Sequence, residues 1–224
     1  MKVGILGSGV VGQTLGAKLI ERGEDLVLGT RTPTGLDDKR GMGPPLSEWL
    51  SRVGNKARIG TFAEAAAHGE IVINATSGMG ALEALELAGA ANLDGKILMD
   101  VSNPLDFSRG MPPLLTVCNT DSLGEQIQRA FPGARVVKTL NTINANVMVN
   151  PLLVAGGDHD VFVSGNDADA RARVSELLKR WFGWRSVIDL GDITTARGTE
   201  MMLPVWVRLW SALGTPMFNF KISR

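Results

Sequence analysis

A glycine-rich turn near the start of the chain constrains the fold more than any other feature. Gly7-Ser8-Gly9-Val10-Val11-Gly12 directly follows the apolar run 2–6 and directly precedes a helical pattern. In a turn between a strand and a helix, Gly7 permits the sharp bend, Gly9 lets a pyrophosphate approach the backbone, and Gly12 lets the helix pack closely on the strand. Because the start of such a helix favours anions, this context predicts a dinucleotide site rather than a tight turn without a ligand.

The rest of the chain alternates short β-branched runs with helical patterns, which is typical of stacked βα units. The predicted strands are 2–6, 25–29, 57–60, 70–75, 96–101, 135–140, 160–164 and 186–190. The predicted helices are 10–22, 46–53, 62–69, 80–91, 121–131, 168–183 and 194–213, the last bent or opened by Pro204. This order predicts an α/β fold of Rossmann type, with a doubly wound, mainly parallel sheet and a small C-terminal α/β extension.

The composition excludes several classes of function. The 23 basic and 23 acidic residues balance, so charge gives no reason to expect a nucleic acid or an anionic membrane as a partner. Two His, one Cys and no Tyr exclude an intrachain disulfide, a Cys-rich zinc site and a tyrosine acid. No stretch approaches the ~20 apolar residues of a membrane span. With a single thiol and no signal-peptide core, we expect a cytoplasmic protein.

The end of the second predicted strand indicates which dinucleotide binds. An NAD enzyme would place Asp or Glu here for the ribose 2′-hydroxyl, but this chain has Thr30, Arg31 and Thr32. The two threonines can donate hydrogen bonds to a 2′-phosphate, and the Arg31 guanidinium can grip it with a charged fork. We therefore expect NADP as the cofactor. Lys39 and Arg40 could add to the phosphate site, although a basic pair in a polar loop is more often simply solvated.

Two further strand ends point at the same crevice, since ligands of open parallel sheets lie outside the carboxyl ends of the strands. They are the sequences at 74–78 and 100–104, which include Thr76, Val101 and Asn103. Small turns of this kind can lie against a ribose or a nicotinamide ring. For Asn103 alone, an Asx-type turn is an equally good interpretation.

Few side chains are candidates for acid–base or metal chemistry. Lys138, at a predicted strand end, is the nearest candidate proton donor, but we interpret it as charge at the rim of the sheet. His68 and His159 are interpreted as structural. Neighbouring residues of an extended segment point to opposite faces, so Asp158, His159 and Asp160 are not expected to bind a metal. We predict no catalytic side chain and no metal.

Six sequence blocks, taken in order, carry a resemblance to a known family. The chain resembles the F-420:NADP oxidoreductases, which are NADPH-dependent reductases of the deazaflavin coenzyme F-420, through most of its length. Members that use F-420 can have His at the position of Asn141 and a basic residue soon after Arg31, so this chain resembles a divergent branch. The blocks are 7–12, 29–31, 100–104, 137–143, 161–167 and 218–222.

The resemblance implies an NADP-binding Rossmann domain over 1–150 and a small C-terminal domain over 151–224 that packs over the cofactor cleft. It also implies roles for residues. The pyrophosphate would contact Ser8, Gly9, Val10 and Val11, and the 2′-phosphate would contact Thr30 and Arg31. The ribose and nicotinamide would lie against Thr76, Val101 and Ala145, and the acceptor ring would lie beside Asn141 and Ile143.

These observations predict transfer of a hydride between NADP(H) and a deazaflavin or flavin-like acceptor, a reaction that needs orientation rather than a protein acid. One alternative is an NADPH-dependent reductase of a small imine or carbonyl, against which the absence of Tyr and scarcity of His count. Others are a non-catalytic NADP-binding redox sensor and, by fold analogy, electron transfer through a bound flavin. The large apolar side chains of 194–213, Trp206 and Trp210 among them, either pack on the sheet or contact another subunit, and on the second interpretation they predict a homodimer through the C-terminal helix.

Overall fold

The fold is seen in a computed structural model of the 224-residue chain, which describes residues 1–38 and 43–224. Lys39 and Arg40, proposed as additions to the phosphate site, lie outside the described residues. The described strands are β1 (Lys2–Leu6), β2 (Asp25–Gly29), β3 (Ala57–Gly60), β4 (Ile71–Asn74), β5 (Ile97–Asp100), β6 (Leu105–Asp106), β7 (Leu114–Leu115), β8 (Arg135–Thr139), β9 (Asp160–Ser164) and β10 (Ser186–Asp189).

Eight of these strands form one twisted sheet in the order β10-β9-β8-β5-β4-β1-β2-β3. Strands β1 to β5 and β8 are parallel, β9 runs antiparallel to β8, and β10 is parallel to β9. The order 3-2-1-4-5 followed by β8 is the Rossmann arrangement. The predicted doubly wound, mainly parallel fold with a small α/β extension is therefore confirmed.

Helices connect the strands and cover both faces of the sheet. The described helices are α1 (Val10–Glu21), α2 (Leu46–Val53), α3 (Phe62–His68), α4 (Ala81–Ala88), α5 (Ala90–Leu93), α6 (Leu123–Ala130), α7 (Ala145–Val149), α8 (Ala168–Leu177), α9 (Ala196–Met201) and α10 (Leu203–Leu213). Short 3-10 turns occupy Gly54–Lys56, Gly78–Gly80, Pro151–Leu153, Ala155–Gly157 and Ile193–Thr195, and a π turn, Leu178–Phe182, extends α8.

Two hydrophobic clusters, one on each face, hold the layers together. One packs α1, α2, α7 and α8 on the sheet and includes the buried indoles of Trp49, Trp181 and Trp184. The other packs α3, α4 and α6 on the opposite face and extends to Ala196 at the start of α9. Strands β4 and β5 are buried along their whole length because they lie in the middle of the sheet between these clusters.

The structure differs from the predicted elements in several places, and the short helix α7 is one of the elements that were not predicted. The predicted helix 80–91 is divided at Gly89, whose φ of 86° is left-handed and ends α4. The predicted helix 194–213 is interrupted at Met202, and Pro204 opens its second part as predicted, because it stands in the first turn of α10, where its missing N–H costs nothing. The antiparallel hairpin β6–β7 was not predicted, because strands of two residues carry no periodicity.

Two further expectations concern the division into domains and the presence of a membrane-crossing helix. The division into domains at residue 150 stays a prediction, although β9 and β10 continue the same sheet. Within residues 1–38 and 43–224, no helix has both the length and the apolar character that crossing a membrane requires.

Candidate functional site

A cleft of about 610 Å³ opens at the carboxyl ends of β1, β2, β4 and β5. Ten predicted cofactor residues line it: Gly7, Ser8, Gly9, Val10, Val11, Thr30, Arg31, Thr76, Val101 and Asn103. Ala75, Ser77, Gly78 and Ser102 also line it and belong to the two strand-end sequences that pointed here. Sequence reasoning missed Phe62, Gly80, Glu83, Ala84, Leu105 and Phe107.

The three glycines of the turn have different surroundings. Gly7 has a φ of 115°, and a Cβ there would lie 2.5 Å from the carbonyl oxygen of Ala75. A Cβ on Gly12 would lie 1.8 Å from the carbonyl oxygen of Gly7, so this glycine sits beneath the turn and outside the cleft lining. Around Gly9, no atom of the described residues lies within 4 Å of such a Cβ. The backbone at Gly9 is therefore open to the cleft, as a pyrophosphate requires.

Helix α1 begins at this open position. Its N-cap residue is Gly9, which has no side chain with which to cap the first turn. The N–H groups at the start of a helix carry partial positive charge and point outward, so an anion in the cleft would satisfy them. The residues present thus fit the pyrophosphate of a dinucleotide.

The end of β2 forms the neighbouring part of the cleft. The hydroxyl of Ser8 donates to the hydroxyl oxygen of Thr30 over 3.1 Å, which ties the glycine turn to β2. Arg31, the next residue, is exposed and lines the cleft without an acidic residue beside it in sequence. This arrangement fits a 2′-phosphate. Thr32 is exposed and lies outside the cleft lining.

The turns after β4 and β5 are joined by side chains at the strand ends. Thr76 donates its hydroxyl to Asn74 Oδ1 over 2.7 Å, and Asn74 Nδ2 donates to Asp100 Oδ1 over 2.9 Å. The Ser102 hydroxyl donates to the same Asp100 oxygen over 2.6 Å. Thr76 and Ser102, which face the cleft, are therefore held by one buried pair, Asn74 and Asp100, both fully buried.

The turn after β8 joins the same rim through two asparagines. Asn103 Nδ2 donates to the carbonyl oxygen of Asn141 over 2.8 Å, and Asn141 Nδ2 donates to Asn103 Oδ1 over 3.0 Å. A Cβ on Gly78 would lie 1.9 Å from the Asn103 carbonyl oxygen, so the turns after β4 and β5 are also in contact. The side chain of Asn103 therefore bonds to a different loop. In an isolated Asx turn, it would instead bond to the backbone of its own turn.

Three residues that the resemblance placed near the nicotinamide or the acceptor lie away from the cleft lining. Asn141 is buried against Asn103, and Ile143 is buried in the hydrophobic core. Ala145 is half-buried and begins α7, after the N-cap Asn144. Their roles toward the ribose, nicotinamide and acceptor stay predictions.

The comparisons with known proteins agree with this geometry. Residues 2–104 match the family model described as NADP oxidoreductase, coenzyme F420-dependent. The crystal structure of a candidate F420-dependent NADP reductase from an Arthrobacter species is 57% identical, with a TM-score of 0.95 and full coverage of both chains. The chain belongs to the F-420:NADP oxidoreductase family. It is an NADP-dependent oxidoreductase, and its cofactor is NADP.

More distant proteins are similar to this member of the F-420:NADP oxidoreductase family in sequence or in fold. The rat metalloreductase STEAP3 is 32% identical over 214 residues, which are 92% of this chain and 38% of the rat protein. The chain thus spans little more than a third of that relative. A reductive aminase from Aspergillus terreus, solved with NADPH, is 18% identical with a TM-score of 0.64, covering 95% of this chain and 62% of the aminase. That likeness shows the fold alone.

In this member of the F-420:NADP oxidoreductase family, the interpretation of Lys138 as charge at the sheet rim is wrong. Its side chain is 1% exposed, and its Nζ lies 2.5 Å from Asp100 Oδ2 and 2.8 Å from Glu200 Oε1. Burial alone would lower the pKa of the Lys138 ammonium, but the two carboxylates outweigh burial and raise its pKa above the usual value. Lys138 is therefore a charged, bonded group beneath the rim.

Both histidines have structural contacts. His159 is buried, with Nε2 2.9 Å from the Pro151 carbonyl oxygen and its ring edge-on to Trp184 at 5.1 Å. His68, at the end of α3, has Nε2 3.1 Å from the carbonyl oxygen of Asp25. Asp158 pairs with Lys221 on the C-terminal tail. Among the described residues, no group of three or more His, Cys, Asp or Glu side chains is arranged to hold a metal ion.

Proposed function

We propose that this protein transfers a hydride between NADP(H) and a deazaflavin, coenzyme F-420, or a flavin-like ring. The observation that carries the proposal is that no acid–base side chain of the described residues lines the β5 side of the cleft. Among the described residues that line the cleft, only Arg31 and Glu83 have ionisable side chains. Arg31 follows β2, and Glu83 lies on α4, which packs on α3 beside β1 and β2. The β5 side of the cleft is lined by Val101, Ser102 and Asn103.

This lining suits transfer between two stacked rings. NADPH supplies the hydride when it is bound, and the chain's own residues bind, orient and exclude water. Reduction of a carbonyl or imine usually needs a proton donor. The nearest candidate, Lys138, is held by Asp100, Glu200 and the carbonyl oxygen of Ser102 and is buried below the cleft. That arrangement favours a ring acceptor over a small imine or carbonyl substrate.

The two relatives bear differently on the acceptor. Full-length similarity at 57% identity to a candidate F420-dependent NADP reductase favours F-420. The metalloreductase that is similar over 92% of this chain is named for reduction of a metal and favours no ring over another, so a flavin-like ring stays the second candidate. The chain spans only 38% of that metalloreductase, so the similarity does not extend to the rest of that protein.

Anaerobic stopped flow distinguishes these acceptors. The NADPH-loaded protein is mixed with F-420, FMN, FAD or a small cyclic imine, and oxidation of NADPH is followed by absorbance. We expect rapid oxidation with F-420 and much slower oxidation with the imine. Turnover with FMN or FAD alone would favour the flavin acceptor. Binding of NADPH without turnover of any acceptor would contradict the proposal and favour a redox sensor.

We also propose a homodimer formed through α10. Val205 and Leu213 on this helix are 55% and 57% exposed, and Trp206 and Trp210 beside them are half-buried. Exposed apolar side chains clustered in this way favour a protein partner.

Light scattering coupled to size-exclusion chromatography tests the dimer. We expect the wild type to elute as a dimer and the double variant Val205→Asp/Leu213→Asp as a monomer, because two charges would be buried at the interface. Leu87→Asp, at a similarly exposed leucine on α4, is the matched control and should stay dimeric. A monomeric wild type would overturn the dimer without affecting the proposed chemistry.

The remaining expectations concern location and other partners. The single cysteine, Cys118, is free and exposed, which suits a reducing cytoplasm. The balanced charge favours a small-molecule acceptor over nucleic acid or an anionic membrane as the partner.

A further inference from the structure

Three charged side chains from distant parts of the sequence meet beneath the cleft. Lys138 is the residue before the last of β8, Asp100 ends β5, and Glu200 lies on α9, and each is at most 1% exposed. Lys138 Nζ donates to Asp100 Oδ2 and to the carbonyl oxygen of Ser102, and it lies 2.8 Å from Glu200 Oε1. These three acceptors match the three N–H donors of the ammonium group, so each N–H of Lys138 has a hydrogen-bond partner.

The cluster is bonded directly to the rim of the cleft. Asp100 accepts the backbone N–H of Ser102 over 3.2 Å as well as its hydroxyl, and Asn74 connects Asp100 to Thr76. Ser102, whose N–H, hydroxyl and carbonyl groups make these bonds, belongs to the turn that lines the cleft. A change in the charge or position of Lys138 would therefore move Ser102 and, through Asn74, Thr76.

Glu200 joins the C-terminal part of the chain to this arrangement. Its two carboxylate oxygens accept the backbone N–H groups of Leu123 over 2.8 Å and Gly124 over 3.0 Å, at the start of α6. The positive end of the eight-residue α6 and the Lys138 ammonium together offset the charge of this buried carboxylate. Glu200 does not itself line the cleft.

We propose that Glu200 and Lys138 are positioning residues for the cofactor: through Asp100 they hold the Ser102 and Thr76 turns in the geometry that binds NADPH. The C-terminal segment then contributes to cofactor affinity without touching the cofactor. The inference rests on the cofactor site and is independent of which acceptor the protein uses.

The test is a comparison of two isosteric substitutions at the interface between α6 and α9. Glu200→Gln keeps the shape of the side chain and removes its charge. The control is Glu125→Gln, because Glu125 on α6 pairs with Arg197 on α9 at 2.5 Å but makes no bond to Lys138 or the rim. For each variant, calorimetry gives the dissociation constant of NADPH, the emission spectrum of bound NADPH reports its surroundings, and thermal unfolding gives stability.

We expect Glu200→Gln to raise the dissociation constant of NADPH about tenfold and to shift the emission of bound NADPH toward that of free NADPH. Glu125→Gln should change both by less than about twofold even where it lowers the melting temperature. Equal effects of the two variants on affinity and emission, or an effect of Glu200→Gln on stability alone, would overturn the positioning role.

A second variant covers the case in which Glu200→Gln does not fold. Glu200→Asp keeps the charge but shortens the side chain by one methylene, and we expect changes of the same sign and smaller size. Wild-type affinity and emission in this variant would also overturn the inference. Failure of F-420 to oxidise NADPH would leave this result intact, whereas failure of the wild type to bind NADPH would overturn the positioning role itself.

Discussion

Replacing Gly9 with valine is expected to raise the dissociation constant of NADPH about a hundredfold or more, ~2.7 kcal/mol, while the protein still folds. A Cβ at Gly9 meets no atom of the described residues within 4 Å, and the φ of −77° suits any residue. The valine would occupy the space through which the pyrophosphate approaches the backbone. We expect the melting temperature to change by no more than about 2 °C.

The matched control is the same substitution three residues later. A Cβ on Gly12 would lie 1.8 Å from the carbonyl oxygen of Gly7, so Gly12→Val forces the helix away from the turn. This variant should lose stability by roughly 1–3 kcal/mol or more, seen in thermal unfolding. If Gly9→Val bound NADPH with wild-type affinity in calorimetry, the glycine sequence would be an ordinary βα turn.

Replacing Arg31 with aspartate is expected to weaken NADPH binding about a hundredfold and NADH binding less than about threefold. The substitution removes a charged fork from the 2′-phosphate and places a carboxylate there. At ~4 Å and an effective dielectric of ~20, two like charges repel by about 4 kcal/mol, which exposure to solvent reduces. Only NADPH carries the 2′-phosphate, so the effect should be selective for it.

Competitive titrations with NADPH and NADH measure this selectivity. Arg109→Asp is the control, because Arg109 is also exposed, follows β6 and lies outside the cleft lining. It should leave both affinities unchanged. Equal losses of NADPH and NADH affinity in Arg31→Asp would contradict the assignment of Arg31 to the 2′-phosphate and leave it an ordinary surface arginine.

The sheet and the phosphate end of the cleft could be predicted because their signals are local. Each strand of the eight-stranded sheet is a short run with at least one β-branched residue, and residues 7–9 and 30–31 directly follow strand ends. The carboxyl edge of a parallel sheet brings such turns together whatever their separation in sequence. For this reason ten of the predicted cofactor residues lie around one cleft.

The rest of the cleft could not be predicted because its signals are not local. Phe107 lines it from beside a strand of two residues, which is too short to show alternation. Lys138 stands in the mainly apolar sequence 136–140, which was a hint of burial, but its partner Glu200 lies on helix α9, far away in sequence, and no pattern in the sequence pairs the two. A buried charge is interpretable only once its counterion is known.

The place of Glu200 also bears on how the protein matures during synthesis. The whole glycine turn, the Arg31 segment and both rim turns are synthesised long before residue 200. Until α9 arrives, the N–H groups that begin α6 and the Lys138 ammonium each lack one partner. A nascent chain can thus form the phosphate-binding turn early, but its cofactor cleft acquires all of these bonds only after the residues of α9 have been added.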